Sequence, residues 1–483
     1  MTSSSDTLDD RTSGAAFGRD LTTGSVARNL LFFSVPMLLG NAIHTAYSII
    51  NTAWVGNGLG AESMAAITVS FPIVFVLIAV AGGLTLATNI LVSQAFGAKN
   101  LSRVRTIAQN SFLLTAMVSV VCLVVGRLTA ALLVRATNTP ADVVPIAVSY
   151  LRLFLFITPF MFGIFHLSSV LRGVGDSKTP LYFQAASLLL TGILDPILMF
   201  GWLGAPRLGL NGTAVATIIA TTLAFVTLSA YLRRIGHIAA PAWGRWKLDA
   251  ALSRLTLKIG LPSMLQQSFV AVGILLIVGL VNGFGAHCAA AYGVGMRIDQ
   301  LAFMPAMAMG MAASTLAGQN IGALRFNRVG AVLRWAILIA FLLTLPGSIA
   351  TLAIPRHLMG LFTPDADVVE TGAHYLRIAG VSYLFVAVMF STNGVINGSG
   401  HTIPTTIFTL VVFYAVRIPL AVLLSRRLGH VEGIWYAILA SYTIGVTMGL
   451  IYYRSGLWKK PVHTRPRHAP PETPAAPAGE EGA

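Results

Sequence analysis

The chain has 483 residues, 55% of them hydrophobic and only 10% charged, with a formal net charge of +15. A soluble protein carries about 25% charged residues, so an ordinary soluble domain is excluded, and apolar runs of about 20 residues recur as membrane-spanning helices require. A charge of that size would suit a nucleic-acid binder, but the basic residues fall where orientation signals belong, and no nucleic-acid partner is expected.

The chain opens with a polar, mixed-charge tail, 1–28, that lacks the basic n-region and apolar core of a cleaved signal peptide. Twelve spans follow, at about 29–55, 65–93, 106–126, 143–170, 181–203, 209–232, 256–282, 288–317, 329–354, 368–395, 403–424 and 433–453. With the N-terminus inside, 22 Lys and Arg flank the inner ends of these spans, 6 the outer ends and 4 lie within them. That asymmetry follows the positive-inside rule and places both termini in the cytoplasm. The expected class is therefore an all-α polytopic protein of the cell (inner) membrane. Its units are a six-helix lobe at 29–232, a cytoplasmic linker at 233–255, a second six-helix lobe at 256–453 and a Pro- and Ala-rich disordered tail at 454–483. Cys122 and Cys288 read as small buried hydrophobes, since two distant cysteines make neither a disulfide framework nor a metal site.

In chain order, the first span carries Pro36, expected to act as a hinge, and a polar stripe at helical spacing: Asn41, His44, Thr45, Ser48, Asn51 and Thr52. A span facing only lipid would not carry such a stripe, so it faces protein or a wet cavity. "GVGDSKT" at 173–179 lacks P-loop spacing and reads as a turn between helices, which leaves no ATPase motif. The fifth span holds Asp195 followed at once by Pro196. A carboxylate at a helix centre in hydrocarbon costs about 2.5–3.5 kcal/mol on insertion scales. Pro196 removes a backbone N–H and disfavours helical geometry at Asp195, so the pair is expected to bend the helix and free carbonyls beside the acid. The seventh span offers Gln266 and Gln267 but no acid. The eighth offers Arg297, Asp299 and a row of methionines, Met296, Met304, Met307 and Met311, whose adaptable apolar surface suits a drug cavity. In the eleventh, "RIP" at 417–419 echoes "LDP" at 194–196 with the charge reversed.

The two halves repeat at about 225 residues. "SVPMLLGN" (34–41) echoes "GLPSMLQQ" (260–267), and "NGLGAE" (57–62) echoes "NGFGAH" (282–287). "QAFGAKN" (94–100) echoes "QNIGALR" (319–325), "YLR" recurs at 150 and 375, and "RGVGDSKTP" (172–180) echoes "NGSGHTIP" (397–404). Six spans per half give both halves the same topology, a parallel repeat whose binding site tends to lie near the midplane between the two bundles.

These motifs, with "AYSIINTAWVG", "LDPILMFG" and "RIDQLAFMPAMAMGMAASTLAGQNIGA", resemble those of the MATE family, the multidrug and toxic compound extrusion transporters, over roughly residues 25–455. The resemblance implies export of amphipathic or cationic small molecules driven by inward H⁺ or Na⁺, with no cofactor, acting as a monomer in the bilayer. It implies that Asp195 is the cation-coupling residue of the first lobe, with Tyr47, Asn51, Tyr150 and Thr213 around it. Thr191 and Ser168 stand where relatives often have Asn, and Asn51 where many have Asp. These losses of oxygen ligands and charge favour H⁺ over Na⁺, although Na⁺ at Asp195 stays open. The substrate cavity is expected among Asn41, His44, Gln266, Gln267, Arg297, Asp299, Met304 and Met307. A flippase for lipid-linked precursors of the same broader superfamily is the alternative; a membrane-embedded enzyme would need a cluster of His, Asp or Glu that the sequence lacks.

Overall fold

The computed structural model describes residues 18–137, 139–241 and 248–459. The expected C-terminal tail from 460 onward, most of the N-terminal tail and the middle of the linker lie outside the described residues. Among the described residues the regular structure is all helical: α1 Val26–Gly97, α2 Leu101–Ala136, α3 Val143–Phe154, α4 Thr158–Gly173, α5 Lys178–Phe200, α6 Leu210–Arg234, α7 Ala250–Asn282, α8 Ala286–Gly322, α9 Phe326–Ala353, α10 Pro355–Gly360, α11 Ala366–Gly398, α12 Thr402–Leu410, α13 Ile418–Leu428 and α14 Glu432–Arg454. A 3₁₀ turn joins α3 to α4 in one span, and a π-helix, Val411–Arg417, joins α12 to α13 in another.

Among the described residues, eleven helical stretches are long and apolar enough to cross a membrane. The first, α1, has 72 residues, which at 1.5 Å per residue would be about 108 Å, several times a hydrocarbon core of about 30 Å. It is two spans. Gly60, at φ 82° and ψ −176°, is the one non-helical residue within it, and only a residue without Cβ takes that geometry readily. Counting α1 twice gives twelve spans in two lobes, as the hydropathy pattern predicts. The linker is shorter than 233–255, because α6 runs on to Arg234 and α7 already starts at Ala250, where Asp249 caps it by accepting from the Ala251 and Leu252 amides.

Each lobe lends the start of its first helix to the other. Leu21, Leu30 and Phe33 are buried against α8, α9 and α11 of the second lobe, and Leu252 and Ile259 of α7 are buried in the core of the first. The lobes also close on each other at the end that carries the N-terminus. Gln94 Nε2 donates to the Gly398 carbonyl (2.9 Å), and Gln319 Nε2 donates to the Gly173 carbonyl (3.0 Å). A Cβ at Gly97 would sit 1.9 Å from the Gln319 carbonyl oxygen, and one at Gly322 would sit 1.9 Å from that of Gln94. The members of each pair, 94/319, 97/322 and 173/398, stand 225 residues apart. The repeated Q-x-x-G motif is thus a self-complementary seam, in which each lobe's glycine admits the other lobe's backbone. The segment before α1 reinforces it. The Arg19 amide donates to the Val174 carbonyl in the first lobe, and the Leu21 amide donates to Gln319 Oε1 in the second (2.9 Å). Lys99 also pairs with Asp20 at 2.6 Å.

Candidate functional site

Asp195 lies fully buried inside the first lobe. Its Oδ2 accepts from Asn51 Nδ2 at 2.7 Å and from the Tyr47 hydroxyl at 3.0 Å. Tyr47 and Asn51 stand four residues apart on α1, on one face of the helix, so one turn of the polar stripe supplies both donors. Asp195 Oδ1 is buried and has no hydrogen-bond partner. Tyr150 is buried within electrostatic range of Asp195, and Thr213 is buried beside it. Thr191, one turn before Asp195, turns its hydroxyl back to the Ser187 carbonyl at 2.8 Å, while Ser168 is buried on α4. Thr217, which the sequence does not single out, adjoins Tyr47 and donates to the Thr213 carbonyl at 2.8 Å.

The α5 helix runs through Asp195 and Pro196 without a non-helical residue, and α1 likewise runs through Pro36. The preference of a pre-proline residue for extended geometry is overridden here within a membrane-spanning helix. What Pro196 does is leave the Gly192 carbonyl, one turn earlier, without its helical donor.

The second lobe also holds an acid, half-buried. Asp299 Oδ1 accepts from the Tyr383 hydroxyl at 2.7 Å, and its Oδ2 accepts from the Tyr375 hydroxyl. Tyr375 is the repeat counterpart of Tyr150, 225 residues on, so equivalent tyrosines address an acid in each lobe although the acids come from different spans. Arg417, the last residue of the π-helix, is only 4% exposed. Its Nε donates to Ser441 Oγ at 2.8 Å, and its guanidinium lies 4.1 Å from the Phe413 ring centroid and 4.4 Å from that of Tyr442. Arg417 acts on Asp299 through space, without an ion-pair contact.

Between the lobes is a cavity of about 320 Å³. Of the residues expected to line it, Gln266, Gln267 and Met307 do, joined by Met37, Met311 and Phe390. Gln266 is held there by donating to Thr409 Oγ1 at 2.9 Å. Asn41 lines an adjoining pocket with Pro36. The others lie elsewhere: His44 and Arg297 are exposed outside this lining, Met304 is buried within the second lobe, and Asp299 faces its tyrosines. The sequence reading missed Asn89, Ser314, Asn393 and Arg172, which do line it.

The architecture and the charges within the spans define a class: a polytopic membrane protein of two repeated six-helix lobes, with an acid inside each lobe and a largely apolar cavity between them. The chain belongs to the MATE family of membrane transporters, whose MatE model matches it twice, over residues 36–197 and 262–423. The chain is 32% identical to the probable multidrug resistance protein YpnP of Bacillus subtilis (strain 168), over 91% of this chain and 97% of that one. It is 30% identical to YoeA of the same organism, also a probable multidrug resistance protein, over 91% and 96%. In fold it matches the crystal structure of a point mutant of the Vibrio cholerae MATE transporter VcmN, with a TM-score of 0.85, 23% identity and coverage of 91% of this chain and 98% of the other.

Proposed function

We propose that this transporter is a secondary multidrug exporter. It carries amphipathic small molecules out of the cell by alternating access, in exchange for protons taken up at Asp195. The observation that carries the coupling step is the asymmetry of the Asp195 carboxylate: Oδ2 accepts from two donors, and Oδ1 is buried without a partner. Two donors turned onto one oxygen hold the ionised form in place, and the bare oxygen is the atom left to take a proton. A dehydrated Na⁺ would need several oxygens turned toward it, whereas here the Tyr47 and Asn51 donors point at the carboxylate. Positive-inside placement of Lys and Arg supports a cytoplasmic location for the end where the lobes are sealed, so the state described faces outward. The names of the Bacillus subtilis relatives support drugs as cargo. A lipid-linked pyrophosphate would call for a cluster of basic groups, and the single charged residue lining the inter-lobe cavity disfavours the flippase reading.

A proton binding at Oδ1 would relieve the buried negative charge and change which packing of the first lobe is preferred. A ligand shifts such an equilibrium only by its differential affinity for the two states, so coupling requires Oδ1 to be wetter in the inward-facing state. Purified protein in liposomes, given a dye substrate and either a pH gradient or a Na⁺ gradient alone, tests the reading. Transport is expected under the pH gradient without Na⁺. Transport under the Na⁺ gradient alone, with none under the pH gradient, would overturn it.

A further inference from the structure

We infer that the inter-lobe cavity is built to receive the acidic group of its cargo, so that the preferred substrates are amphiphiles carrying a carboxylate or comparable anion, zwitterions included, rather than plain cations. The inference rests on the exporter reading and specifies the cargo of that same cavity. Arg172 is the one charged residue lining it, and also the one charged residue lining the adjoining pocket with Asn41 and Gln184. Among the described residues no acid lines either space, and the Arg172 side chain has no hydrogen bond or ion pair. Its place in the last turn of α4 suits a cation, because the helix dipole is negative there. The dipole gives the five guanidinium donors no hydrogen-bond partner, and arginine stays charged at any physiological pH.

Two further polar atoms in the lining wait for a partner. Ser314 is 3% exposed, and its Oγ has no hydrogen bond; Asn393 Oδ1 is likewise buried and unpaired. An unpaired buried polar group is costly, so such atoms are either satisfied by cargo or hydrated and released when it binds. The apolar remainder, Met37, Met307, Met311 and Phe390, offers an adaptable surface to an aromatic body. Guanidinium at one end and methionines around the rest match a ligand with one anionic group on an apolar frame. A plain cation would meet the Arg172 charge with no carboxylate in the lining to offset it.

The test compares one rhodamine scaffold in two forms, with its carboxylate free and with that carboxylate esterified, by fluorescence anisotropy on the purified full-length protein. A charge-assisted hydrogen bond contributes about 1.5–3 kcal/mol, so the free acid is expected to bind roughly 10- to 100-fold more tightly than the ester. Arg172→Gln should abolish that preference and leave ester affinity equal or improved, while Arg172→Lys should keep part of it. Equal affinity of the two forms for the unmodified protein, or a preference that survives in Arg172→Gln, would overturn the inference. If Arg172→Gln does not fold, the comparison in the unmodified protein and in Arg172→Lys still decides. Binding that follows the expected pattern with no transport of either dye would refute the exporter reading and leave this one standing.

Discussion

Replacing Gly322 by alanine should drive the lobes apart at the N-terminal end. The new Cβ would lie 1.9 Å from the Gln94 carbonyl oxygen, where ordinary contact begins at 3.4 Å, so the seam must open locally by about 1.5 Å. That displacement carries the 2.9 and 3.0 Å hydrogen bonds from Gln94 to Gly398 and from Gln319 to Gly173 beyond reach. Two hydrogen bonds lost, one buried and one part-buried, at about 1 kcal/mol each disfavour this state by about 2 kcal/mol, a roughly 30-fold shift in population. Spin labels at Ser102 and Asn327, exposed and 225 residues apart, report the separation of the two lobes across the seam. In a background with Cys122 and Cys288 replaced by alanine, pulsed dipolar spectroscopy should show a longer distance in Gly322→Ala, and the same change in Gly97→Ala. A folded variant with an unchanged distance distribution would refute the claim that the reciprocal glycine contacts hold this state.

Three other outcomes follow from the same contacts. Asn51→Asp restores a second carboxylate beside Asp195, and dye efflux from liposomes should become Na⁺-responsive; efflux as indifferent to Na⁺ as before would count against the ligand argument. Arg417→Leu removes the cation–π contacts to Phe413 and Tyr442 and the bond to Ser441; a desolvated cation–π contact contributes about 2 kcal/mol, so the melting temperature in detergent should fall. Burial alone would raise the Asp20 pKa, but hydrogen bonds from Lys99 and Thr22 outweigh it and hold the carboxyl below its ordinary 3.8. A lowered folded-state pKa means that the contribution of this contact is fully present above the ordinary value and is lost only as pH falls through the lowered one. The spin-label distance across the seam should therefore hold steady above about pH 4, while Asp20→Asn, which removes the charge at every pH, should lengthen it.

Much of the architecture is legible in the sequence because hydrocarbon is a harsh filter. Span count, lobe division and repeat all follow from apolar run length and from motif echoes that packing has to respect. Asp195 stands out for the same reason, and Tyr47 and Asn51 share a helix face that any helical reading brings together. Asp299 is visible as a charge in a span, but its tyrosine partners on α11 are not, because only the fold of the second lobe brings that helix alongside. Arg172 is hidden differently. At the end of a span it counts as one more orienting basic residue, and only the docking of the second lobe turns the last turn of α4 into a cavity wall. The Q-x-x-G echoes mark a repeat in one dimension; their meeting across the seam is a property of the pseudo-two-fold axis. The π-helix ending at Arg417 has no local signal, since an added residue in a helix leaves hydropathy unchanged.

The central claim is that a proton taken up at Asp195 drives export, and substrate-coupled proton movement measures it directly. Proteoliposomes containing a trapped pH-sensitive dye would be loaded with the protein and challenged with a transported amphiphile at zero membrane potential. The unmodified protein should move protons opposite to the substrate, and the signal should be lost in Asp195→Asn, which keeps the size of the side chain and inserts normally, while Asp195→Glu keeps part of it. Substrate-coupled proton movement at the unmodified rate from correctly folded Asp195→Asn would contradict the account and leave the carboxylate a structural group.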